Sequence, residues 1–111
     1  MANFFKSDLV IDTLNTNGDV AINGDLTVTG DTTTVSTTNT VVSDKLLELA
    51  NGTTGTPSGD AGVVIERGSS NNVFIGWDES EDKVTVATGT FTGASTGDLS
   101  LTDAALKTGA I

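Results

Sequence analysis

A Gly-Asp pair returns every six residues in Asn17-Gly18-Asp19-Val20-Ala21-Ile22, Asn23-Gly24-Asp25-Leu26-Thr27-Val28 and Thr29-Gly30-Asp31-Thr32-Thr33-Thr34. Asn-Gly and Gly-Asp suit tight turns because both tolerate positive φ. Between the turns the aliphatics alternate, as Val20 and Ile22, then Leu26 and Val28. An even period preserves side-chain parity from unit to unit, so Val20, Ile22, Leu26 and Val28 can share one seam. A unit this short cannot bury its own face and needs neighbours, from its own chain or from identical chains. Two geometries satisfy the pattern. Asn23-Gly24 is a two-residue hairpin turn pairing residues 19–22 with 25–28, or each hexad is one rung of a β-solenoid or an intertwined trimeric β-structure. Leu14 lies six residues before Val20, so the spacing starts ahead of the glycines.

Composition favours identical chains as the neighbours. The 111 residues allow one domain, but only 36% are hydrophobic, with four Phe, one Trp and no Tyr. A lone chain of that make-up has a thin core. Abundant Thr is β-branched and favours strands. The expected fold is therefore all-β, with short strands and turns, assembled as an intertwined homotrimer.

Fifteen acidic residues stand against five basic ones, for a net charge of −10. The basic residues, Lys6, Lys45, Arg67, Lys83 and Lys107, are scattered. This balance argues against binding nucleic acid through its phosphates and against anionic membrane surfaces. There is no Cys and no His, which removes disulfides, thiolate metal sites and the commonest general base. No apolar run approaches the ~20 residues of a membrane helix. The start of the chain lacks the features of a signal peptide, so use without conventional secretion is expected.

Along the chain, residues 1–16 read as an N-terminal arm and 17–111 as a single β-domain. Within it, 17–50 hold the repeat and Thr-rich strands, 51–62 a loop, 63–88 a meander and 89–111 a tail. The Thr-rich run 31–40 reads as an extended strand or crossover. Ser43–Ala50 reads as a short strand rather than a helical turn. The loop carries the single Pro and four glycines. Val63–Glu66, Val73–Trp77 and Lys83–Ala87 form a three-strand meander across polar turns at 67–72 and 78–82. In the tail, Gly97-Asp98-Leu99-Ser100-Leu101-Thr102 echoes the opening repeat. Asp103–Lys107 reads as a terminal helical turn capped by Thr102 or Asp103.

Little of this carries reaction chemistry. Asp78-Glu79-Ser80-Glu81-Asp82 is the densest acidic run, and such carboxylates can supply oxygens to a hard cation. The central Gly and distal Glu of an EF-hand are missing, and the run reads as a solvated turn. The Gly-Asp period of six also differs from the nine of calcium-binding β-rolls. Asp60 and Glu66 could pair carboxylates for acid–base work, but without His, a nucleophile motif or a pocket signal catalysis is not expected, and Glu66–Arg67 reads as turn anchoring or an inter-subunit ion pair. No catalytic, cofactor-binding or metal-binding residue is expected, and no cofactor. Phe74 and Trp77 read as packing or interface residues, with saccharide stacking a second use of Trp77. Phe4, Phe5 and Lys6, on a polar-flanked terminus, read as a partner-binding arm.

One resemblance adds to this. Gly24-Asp25-Leu26-Thr27-Val28-Thr29-Gly30 with its Thr-rich sequel resembles a module of virion structural proteins of tailed phages, marine phages and cyanophages in particular. The likeness continues through Thr40–Leu49 and is most specific at Gly59–Ser70 and Phe74–Ser80, spanning residues 17 to about 100. In that family the module sits in trimeric, elongated tail fibres and appendages and carries no catalytic residues. The resemblance implies a non-enzymatic protein of the virion, assembled in the host cytoplasm. Its partners would be its own copies and the phage major capsid protein or another virion protein. Fibre proteins are typically far longer than this chain. The length therefore favours a trimeric capsid decoration (cement) protein on the outside of the head, with a short tail or neck fibre for host attachment as the alternative.

Overall fold

A computed structural model of the protein describes residues 8–110. The chain divides after Val41 into two units, Met1–Val41 and Val42–Ile111.

In the first unit the described residues form no hydrogen-bonded strand and bury no side chain. Its backbone bends at Asp12, Asn17-Gly18, Asn23-Gly24, Gly30-Asp31 and Thr37-Thr38, the last four in steps of six, seven and seven residues, so a near-regular rhythm runs past the last Gly-Asp pair. Side-chain hydrogen bonds trim two of these bends. Thr16 Oγ1 donates to the Gly18 carbonyl (3.0 Å), and Thr37 Oγ1 to that of Asn39 (3.3 Å). The hairpin between 19–22 and 25–28 is not formed within the chain. A two-residue hairpin loop needs left-handed backbone at Gly24, and Gly18, Gly24 and Gly30 all lie outside that region.

The second unit opens with exposed chain. Residues 42–58 bury nothing, and the expected strand at Ser43–Ala50 is absent. Leu46, Leu47 and Leu49 have no apolar surface to alternate against, so a strand there would gain little. A tight turn follows, with the Thr53 N–H donating to the Ala50 carbonyl (3.4 Å) and Ala50 itself left-handed.

The ordered core is a four-stranded antiparallel meander, β1 (Ala61–Arg67), β2 (Ser70–Asp78), β3 (Lys83–Gly89) and β4 (Thr102–Asp103), in that order across the sheet. β-branched residues recur in each of the first three strands, as side-chain packing on a pleated surface favours. The expected meander over 63–88 is present, and it is larger than its sequence signal. β1 starts at Ala61, inside the expected loop, and β4 adds a fourth strand. Gly68-Ser69 closes β1 on β2, with Gly68 left-handed at φ 67° as the first position of such a loop requires. Just beyond, Asn71 and Asn72 together oppose Glu66, a bulge that shifts the register by one. The β2–β3 turn is tied by Asp78, whose Oδ1 accepts from Ser80 N–H (3.1 Å), Ser80 Oγ (2.7 Å) and Glu81 N–H (3.3 Å).

The helical turn expected at Asp103–Lys107 is not formed, and there is no helix among the described residues. Thr102 and Asp103 pair instead with Thr88 and Ala87, and the Ala104 N–H donates to the Val86 carbonyl (2.8 Å). Pairing along β3 satisfies these backbone groups, which a single isolated helical turn cannot do alone.

The sheet's two faces differ. One carries Gly62, Val64, Phe74, Gly76, Thr85 and Ala87 and is covered by the segment 90–101. Phe74, Ala87 and Phe91 are the buried apolar side chains among the described residues. The Phe74 ring lies across the cross-strand glycine pair Gly62 and Gly76, where any Cβ would collide with it. The other face carries Val63, Ile65, Ile75, Trp77 and Val84, all exposed.

Candidate interaction surfaces

The candidate surfaces are apolar and unpaired. In the first unit Val20, Ile22, Leu26 and Val28, the expected seam, each stand at least half exposed, Leu26 at 68%. Each hexad aliphatic sits on an unbent segment between two bends, with no strand partner among the described residues.

Phe74 and Trp77, grouped as one packing pair in the sequence, part company. Phe74 is buried at the centre of the covered face, whereas Trp77 is 40% exposed on the open one. Residues three apart in a strand face opposite ways, so this split is written in their spacing. Sequence reasoning missed Val63, Ile65, Ile75 and Val84 as surface residues. The available signal was that Val63-Val64-Ile65 and Val73-Phe74-Ile75 are apolar on both parities, the pattern of strands buried on both faces.

A groove of about 490 Å³ runs between the turn-rich stretch 50–61 and β2, lined among others by Thr53, Thr56, Ser58, Asp60, Trp77 and Glu79. The Asp60 carboxylate is fully engaged there as a clasp. Its Oδ1 accepts from the Glu79 N–H and its Oδ2 from the Leu99 N–H, both at 2.9 Å. Its own N–H donates to the Gly97 carbonyl (2.9 Å). Asp60 thus holds the tail segment against the start of β1.

The remaining polar candidates are not brought together. Glu66 and Arg67 lie exposed at the far end of β1, remote in register from Asp60. Asp78 is buried but spends Oδ1 on its own turn. Among the described residues no group of three acidic side chains is placed to hold a metal ion. Lys83 Nζ and Glu81 Oε2 form an exposed ion pair at 3.5 Å, of a kind that contributes little. The arm residues Phe4, Phe5 and Lys6 lie outside the described residues. No protein-family model, curated protein or solved structure matches the chain.

Proposed function

We propose that this chain is a non-enzymatic structural protein of a tailed-phage particle, a homotrimeric capsid decoration protein that binds the outside of the head and stabilises its subunits. The reading is supported most by one observation. Every described aliphatic side chain from Leu9 to Leu49 is exposed, and the buried apolar side chains among the described residues are Phe74, Ala87 and Phe91. At about 25 cal/mol per Å², apolar area left in water on this scale is a strong drive to associate. The hexad segments are extended, regularly bent and unpaired, so identical copies can supply the missing strands. The phage resemblance of Gly59–Ser70 and Phe74–Ser80 supplies the particle, and the major capsid protein is the proposed partner.

The Trp77 groove favours a second reading, a tail or neck fibre that attaches to the host. An exposed indole beside the hydroxyls of Thr53, Thr56 and Ser58 suits stacking on a saccharide ring.

Copy number in purified particles separates the two. Decoration requires copies in proportion to the capsid lattice, located on the head by labelling. A handful of copies confined to the tail overturns it in favour of the fibre.

A further inference from the structure

We infer that the open face of the β1–β2–β3 sheet is a self-association surface, on which copies of this chain meet with Trp77 in the contact. The inference rests on the homotrimer reading and names a second contact for it, separate from the hexad seam.

Three observations carry it. The first is pattern. Apolar residues occupy both parities of β1 and β2, as in strands covered on both sides, yet the described residues of the second unit cover one side only. Val63, Ile65, Ile75, Trp77 and Val84 line the other, with Val84 at 78% exposure. Together they leave on the order of 400 Å² of exposed surface on one face, the size of the largest patch on a typical monomer, which is often functional.

The second is charge. The stretches 61–65, 73–77 and 84–88 contain no charged residue at all, in a chain with fifteen acids and a net charge of −10. Copies approaching through most other surfaces bring carboxylates together, which costs energy. Copies meeting through this face do not. A charged partner surface would find nothing here to pair with, whereas a second copy presents the same neutral, aliphatic face.

The third is geometry. Ile75 pairs with Val63 on one side and Val86 on the other, and Trp77 with Ala61 and Val84. The apolar residues therefore form continuous cross-strand rows rather than scattered points. Apolar rows of this kind pack against a matching surface by shape alone. Burying them in the assembly would also take Trp77 out of any saccharide groove.

Trp77 is the only tryptophan, so its emission reports on this face alone. The experiment dilutes the full chain across its association range and follows sedimentation, Trp77 emission and acrylamide quenching together. The expected result is a shift to shorter wavelength and about threefold less quenching in the assembled form. Val84→Glu, at a position exposed enough to leave the sheet intact by circular dichroism, should weaken association at least about tenfold because it buries a charge. Ile65→Thr, uncharged and strand-forming, should weaken it in the same direction. An assembly in which Trp77 stays as accessible as in the dilute chain overturns the inference and leaves the homotrimer standing. So does a Val84→Glu chain that associates as tightly as the parent. A folded monomer at micromolar concentration overturns both.

Discussion

The ring of Phe91 stands edge-on to that of Phe74, with centroids 6.0 Å apart and planes at 79°. Phe74 is central in β2 and Phe91 follows β3, so one aromatic contact pins the chain after β3 to the middle of the sheet. A second tie lies beside it, where Asn72 Nδ2 donates to the Phe91 carbonyl (2.9 Å). With so few buried apolar side chains, this contact is most of what the second unit has for a core. Phe91→Ala should therefore destabilise that unit by about 3–5 kcal/mol, read as a lower denaturation midpoint. Phe91→Leu, which keeps bulk but loses the edge-to-face geometry, should recover most of the loss, leaving about 1 kcal/mol.

The glycines divide into two kinds, and substitution should separate them. A Cβ at Gly76 would strike the Phe74 ring (2.7 Å) and the Gly62 Cα (2.6 Å), and the latter is backbone that cannot swing aside. Gly76→Ala should cost at least about 1–3 kcal/mol in unfolding free energy. A Cβ at Gly24 meets nothing within 4 Å, and the backbone there is not left-handed. Gly24→Ala should change the thermal midpoint of the free chain hardly at all, within about 0.5 kcal/mol. If it nonetheless impairs assembly in sedimentation, the hexad turns are packed closely against another copy.

Much of the sheet could be read from residue order. Alternating β-branched and aromatic residues between Ala61 and Gly89 defined the meander, and parity alone separates Phe74 from Trp77. β4 could not be read, because two residues carry no period and their partners lie about fifteen positions upstream. Ala104-Ala105-Leu106-Lys107 has good helix formers, but Thr102, Asp103 and the Ala104 N–H, where the turn would start, pair with β3 instead. The hexads were legible as bends and exposed aliphatics. What those aliphatics pack against was not, because no described segment of their own unit covers them. Asp60 showed the opposite failure. Its neighbours in sequence gave it no structural role, because its bonds to Glu79 and Leu99 depend on contacts 19 and 39 residues away.

Asp60 offers a test of clasp against catalyst. Both carboxylate oxygens accept backbone N–H groups, so Asp60→Asn leaves one amide facing an NH₂ donor. Bonds to a charged acceptor contribute about 1.5–3 kcal/mol each, so Asp60→Asn should destabilise the second unit by roughly that amount. Amide exchange at Leu99 or Glu79 should accelerate ahead of exchange in β2 and β3. Uniform acceleration across the sheet would show that the clasp is not local. Unchanged exchange at both amides would show that the carboxylate holds neither.

Leu26→Asp tests the seam itself. Leu26 is 68% exposed and touches no core, so a carboxylate there costs the isolated chain almost nothing. Circular dichroism and Trp77 emission of the dilute protein should match the parent. In a homotrimer built on Val20, Ile22, Leu26 and Val28, three copies of the substitution would bring three new carboxylates into an apolar seam. An unpaired buried charge is costly enough that sedimentation should show monomer where the parent is assembled. Pairing it with Val84→Glu adds resolution. If the seam and the sheet face are separate contacts, the two substitutions should weaken assembly independently and their effects on association free energy should add. If Leu26→Asp assembles like the parent while Val84→Glu does not, the hexads are not the seam and the sheet face alone holds the copies together.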